Sequence, residues 1–96
     1  MEVHRFAREM GLTHAEFFRT LPQAINHHPH RRNNRSIEID YGERAVRIEL
    51  GPEKTRRIAS LKLPCVDVTF TFSGFTDAER NAFMERFDLY FRRGGG

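Results

Sequence analysis

Apolar residues recur along this chain with two periods, and the changes of period mark its elements. Val66, Val68, Phe70 and Phe72 alternate with Cys65, Asp67, Thr69 and Thr71, the two-residue repeat of a strand with one buried face. Ile37, Ile39 and Tyr41 alternate with Ser36, Glu38 and Asp40, and Val46, Ile48 and Leu50 with Arg47 and Glu49. Gly42-Glu43 between those two runs has the size of a hairpin connection. Later the period lengthens. Phe83, Phe87, Tyr90 and Phe91 fall on one helical stripe, introduced by the capping box Thr76-Asp77-Ala78-Glu79. Arg92 and Arg93 complement the helix dipole and Gly94 suits the terminus, so a helix is predicted over about 77–93.

A second capping box, Thr13-His14-Ala15-Glu16, opens an earlier helix, with Leu12 and Phe17 placed as a hydrophobic staple. Its stripe continues through Leu21, Ala24 and Ile25, but Pro22 predicts an end near Thr20 or a kink there. Residues 3–8 fit a helix or a short strand equally. Residues 54–63 carry helix signals in Pro52 and Glu53, yet Leu61-Lys62-Leu63 alternates directly into the next run. A strand pairing with 65–73 is therefore preferred.

The expected fold is α+β: a single small domain over residues 1–96, in the order (β)-α-β-β-β-β-α. Its antiparallel sheet has four or five strands, with helices packed mainly on one face. As topology alone this order resembles half of a TATA-binding-protein-like domain. The polar face, read as Glu38, Asp40, Arg47, Glu49, Ser60, Lys62, Asp67, Thr69 and Thr71, carries four carboxylates beside two cations and no aromatic residue. Such a face repels a phosphate backbone, so the saddle use of that fold on DNA is not expected.

Composition narrows the picture. The 96 residues have a mean hydropathy of −0.63 and nine Phe, enough for a compact core. One cysteine excludes an internal disulfide frame. No run approaches the roughly 18 apolar residues of a membrane span, and the N-terminus lacks the apolar centre of a signal peptide. A reducing, bacterial-type cytoplasm and no membrane partner are expected. Sixteen basic residues, all but Lys54 and Lys62 being Arg, face 13 acidic ones, for a net charge of +3. The segment 27–35 holds three Arg and no acid, and the rest of the chain balances to zero.

That segment carries the candidate chemistry. His27, His28, His30, Arg31, Arg32 and Arg35 form an acid-free connection that reads as a wet linker or as an anion-binding loop. Three His in a flexible loop do not make a metal site, and no cofactor is expected. Gln23-Ala24-Ile25-Asn26-His27-His28-Pro29 resembles a short stretch of the pterin carbinolamine dehydratases. The resemblance implies acid/base and pterin-binding roles for His27 and His28; that family's further downstream His has no counterpart after His30. Arg92-Arg93-Gly94-Gly95-Gly96 resembles the tails of ubiquitin-like and sulfur-carrier proteins, though a predicted helix feeds it where those have a strand. Cys65, on the parity opposite Val66 and Val68, is expected on the exposed face. The functional expectation is a non-catalytic binding or interaction module for an unknown protein or small molecule, with a homodimer possible. The alternatives are polyanion or nucleic-acid binding through the 27–35 loop and a pterin-dehydratase-like enzyme.

Overall fold

A computed structural model describes residues 2–94, and the elements follow the sequence patterns closely. The order is β1 (Val3–Met10), α1 (His14–Ala24), β2 (His30–Asn33), β3 (Ser36–Asp40), β4 (Ala45–Leu50), β5 (Lys54–Ile58), β6 (Leu61–Ser73) and α2 (Asp77–Gly94). The sheet is antiparallel, with spatial order β1-β6-β4-β3-β2, and β5 pairs with β6. Both helices lie on the face that buries Ile37, Ile39, Val46, Ile48, Val66, Val68, Phe70 and Phe72.

Both capping boxes form. Thr13 Oγ1 accepts from the Glu16 amide at 3.1 Å while Glu16 Oε1 accepts from the Thr13 amide at 2.9 Å, and Thr76 and Glu79 repeat the exchange at the same distances. From α2, Phe87 and Phe91 stack at 4.2 Å between ring centroids, and Phe87 meets Phe70 edge-on at 5.0 Å. Phe17 of α1 closes the cluster, 5.0 Å from Phe91. Leu12, the other half of the expected staple, is also buried.

Four expectations are corrected. First, α1 does not stop at Thr20 but runs through Pro22 to Ala24. An interior Pro costs about 3 kcal/mol; burying Leu21, Ala24 and Ile25 returns about 1.5–3 kcal/mol for each large side chain. Secondly, residues 30–33 of the expected loop form a short edge strand through backbone pairing with β3. The sheet therefore has six strands. Thirdly, Leu61–Ser73 is one strand of 13 residues. Leu61 and Leu63 thus share the parity of Asp67 and Thr69, and Ser60 and Lys62 leave the polar face assigned to them. Pro64 is tolerated because β1 stops opposite Val66, which leaves that edge of β6 open. The Pro64 carbonyl, and with it the nitrogen that carries no hydrogen, faces this side near Gly11. Fourthly, Cys65 is a buried free thiol, 6% exposed, despite its outward parity.

Opposite Val66 and Asp67 the ladder slips by one residue. Leu50 pairs with Val68 and Lys54 with Cys65, so Gly51, Pro52 and Glu53 face two residues of β6. The N-terminus of α1 pins this bulge: the Glu53 carboxylate accepts from the His14 amide at 2.7 Å, and His14 Nε2 donates to the Gly51 carbonyl at 2.7 Å. Beyond the bulge, β5 and the start of β6 continue as a two-stranded arm. The molecule measures 47 × 24 × 23 Å along its principal axes. Among the described residues, no helix is long and apolar enough to cross a membrane.

Candidate functional site

The end of α1 sets the geometry of the histidine motif. Its last turn closes as a Schellman motif, with the His27 amide donating to the Pro22 carbonyl at 2.7 Å and the Asn26 amide to the Gln23 carbonyl at 3.1 Å. That closure holds Asn26 in the left-handed region at φ 57, a residue that tolerates it. His27 follows at φ 56 with no such excuse. It is exposed and makes no side-chain hydrogen bond among the described residues. His27→Gly is therefore expected to raise stability by about 0.5–1 kcal/mol, read as a higher urea midpoint at unchanged slope. A fall in the midpoint would mean that the imidazole makes contacts absent here.

The two left-handed residues turn His28 back over the domain, and Pro29 keeps it extended. Its ring stacks on Tyr41 at 4.1 Å, and its Nε2 lies 2.7 Å from the Asp40 carbonyl. A carbonyl only accepts, so Nε2 carries the hydrogen and Nδ1 of the neutral ring is the free base. Tyr41 and Arg44 come from the β3–β4 turn, fixed by Asp40 Oδ1 accepting from the Gly42 amide at 2.8 Å and by the Tyr41 amide donating to the Arg44 carbonyl at 2.9 Å.

Phe75, just before α2, and α2 itself supply the third wall. Phe75 meets Tyr41 edge-on at 5.8 Å, and Arg44 lies over Phe75 and Tyr41 at 4.9 and 5.5 Å. Glu79 pairs with Arg44 at 3.2 Å. Arg86 reaches the Gln23 carbonyl at 3.0 Å, so it caps the C-terminus of α1, and its guanidinium lies 4.9 Å from the Tyr90 ring. His28, Tyr41, Arg44, Phe75, Glu79 and Arg86 line an open cleft of about 280 Å³.

Two groups in the cleft are electrostatically tuned. The Thr76 amide, donating to the Glu79 carboxylate, lowers the pKa of Glu79, and Arg44 adds to the effect; Glu79 thus stays ionised to lower pH than an ordinary glutamate. Burial raises the pKa of Tyr41, with Arg44 opposing, so the phenol stays neutral past its ordinary range.

Of the six residues expected to bind an anion, only His28 enters this cleft. Cross-strand pairing puts His30 and Arg32 on the helix-covered side, opposite Ile39 and Ile37. There the Arg32 guanidinium stacks on Phe18 at 3.4 Å, and His30 Nδ1 donates to the His28 carbonyl at 3.0 Å. Arg31 lies on the other side, 4.0 Å from Glu38, which also pairs with Arg47 at 3.6 Å. Arg35 sits in the turn to β3 with its side chain exposed. Strand parity therefore spreads the cluster over both faces and the turn. Tyr41, Arg44, Glu79 and Arg86 escaped the sequence reading, because nothing local brings positions so far apart together. Among the described residues, no three His, Cys, Asp or Glu side chains come together as a metal site. The end of the glycine tail, Gly95-Gly96, lies outside the described residues.

No protein-family model, curated protein or solved structure matches this chain.

Proposed function

We propose that this chain is a binding module of a reducing cytoplasm, and that its cleft takes a small planar ligand carrying a negative charge. The supporting observation is the convergence of Arg44, with aromatic walls from Tyr41 and Phe75 and the His28 ring, out of three separate segments around one concavity. Stacked rings favour a flat partner. A guanidinium has five donors, so Arg44 retains capacity for a ligand carboxylate or phosphate beside Glu79. The volume is near the lower end for ligand sites, about 300 Å³, which suits a one- or two-ring compound.

Titration with pterin-6-carboxylate, followed by fluorescence anisotropy, tests this directly. Saturable binding is expected, weakened at least about tenfold in Arg44→Ala by loss of a charge-assisted pair. Absence of saturable binding to this probe and to a quinoline carboxylate, or equal binding by Arg44→Ala, would remove the proposal's basis.

A second reading rests on His28. With Nε2 committed to Asp40, its Nδ1 is available as a base at the cleft, in keeping with the roles implied by the pterin-dehydratase resemblance. His27 is outside the cleft and supplies no second group there, which is why binding is favoured over turnover.

A further inference from the structure

We propose that the β5–β6 arm docks this protein on an anionic phospholipid surface. Every residue from Pro52 to Leu63 is exposed. β4 pairs no further along β6 than Val68 and β1 no further than Val66, so the hairpin projects alone. Its five residues per strand reach roughly 17 Å.

Residues paired across an antiparallel ladder share a face. Ile58 pairs with Leu61 and Arg56 with Leu63, which places the three apolar side chains on one face of the tip. They are 51, 60 and 43% exposed. Arg57 and Lys62 pair with each other on the opposite face. An apolar cluster held this far from any core marks a contact surface.

The charge of the arm is equally one-sided. Between Glu53 and Asp67 the chain has Lys54, Arg56, Arg57 and Lys62 and no acid. The zero balance outside 27–35 is thus an average that conceals a second basic segment. Lys54 is held by Asp67 at 2.9 Å, and Arg56 pairs with Glu9, both at the base of the arm. Arg57 and Lys62 have no ion-pair partner among the described residues. Uncompensated charge therefore sits beside the apolar tip.

A bilayer interface accommodates both properties at once. Ile58, Leu61 and Leu63 enter the acyl boundary while Arg57 and Lys62 stay among the headgroup phosphates. The arm also carries the tip more than a Debye length, about 8 Å, away from Glu38 and Glu49 on the open sheet face. A second copy of the chain fits worse: packing the apolar faces of two arms together would leave Arg57 and Lys62 on the outer faces without counter-charge, and three side chains fall far short of about 800 Å² per partner. A nucleic-acid groove would accept Arg57 and Lys62 but leave the apolar face unburied. The expectation of no membrane partner came from the lack of a spanning run, which surface docking does not need.

Vesicle flotation of the full chain tests the proposal, comparing pure phosphatidylcholine with phosphatidylcholine containing about one-third phosphatidylglycerol. Association with the anionic vesicles is expected to be at least about tenfold stronger, and to fall as salt is raised. Arg57→Glu/Lys62→Glu and Ile58→Ser/Leu61→Ser should each lose at least about tenfold. Their circular dichroism should match the wild type, since all four positions are exposed. Arg44→Ala should float like the wild type, which separates the arm from the cleft. No wild-type association, or undiminished association by either double variant, overturns the proposal. So does tight binding of unrelated duplex DNA without vesicle binding, lost in the charge variant, which would assign the arm to nucleic acid.

Discussion

Phe87→Ala is expected to lower the unfolding free energy by about 3–5 kcal/mol, a large part of the 5–15 kcal/mol typical of a small domain. Phe87 is fully buried, and its ring packs against rings of α1, of the sheet and of its own helix. It stacks on Phe91 at 4.2 Å, meets Phe70 edge-on at 5.0 Å, and lies 6.2 Å from both Phe17 and Phe83. Truncation removes the transfer free energy of the ring and leaves a cavity whose walls are themselves rigid rings, so collapse into it is poor. Phe87→Leu keeps most of the volume and should cost below about 1.5 kcal/mol. Urea denaturation at constant slope reads both values. A loss below about 1 kcal/mol for the alanine variant would show that the aromatic cluster is not the centre of the core.

Gly74→Ala should cost about 2–3 kcal/mol, for two reasons that can be separated. Gly74 has φ +76, where an L-residue loses about 1–2 kcal/mol. A Cβ there would also lie 2.8 Å from the Glu43 carbonyl oxygen, a backbone atom of the β3–β4 turn that cannot rotate away. Gly42→Ala is the control. Its φ is +84, but nothing lies within 4 Å of its would-be Cβ, so it bears the conformational cost alone, about 1 kcal/mol. The difference between the two variants measures the clash. Arg44 follows Glu43, so relief of that clash moves the cleft cation. Gly74→Ala should weaken binding of the planar anion as well as stability, whereas Gly42→Ala should leave Arg44 in place. Equal stability losses for both glycines would show that the turn yields freely and does not hold Arg44 in position.

The core and the cleft stand differently towards the sequence. Phe83, Phe87 and Phe91 recur at helical spacing, and Thr76 with Glu79 announces where that helix begins. Each of these signals is complete within a few residues, because capping bonds and amphipathic stripes are local physics. The cleft has no such signature. His28, Tyr41, Arg44 and Phe75 are ordinary at their own positions, and only the Schellman turn and the β3–β4 turn bring them together.

The arm shows the same division at its sharpest. Alternation in Leu61-Lys62-Leu63 marked a strand correctly. Whether Pro64 ended that strand depended on an open edge beside it, and hence on where β1 stops. Because side chains alternate with period two, that single decision exchanged the faces of Leu61, Lys62 and Leu63. Likewise, six basic and imidazole residues close in sequence became a spread over two faces once the edge of β3 captured residues 30–33. Short-range periodicity and capping specify the helices, the alternating strands, the one-sided sheet and an aromatic core, so these are legible in the chain alone. Which side chains meet and which strand ends stand free follows from long-range pairing, because pairing sets register and register sets the face of every residue.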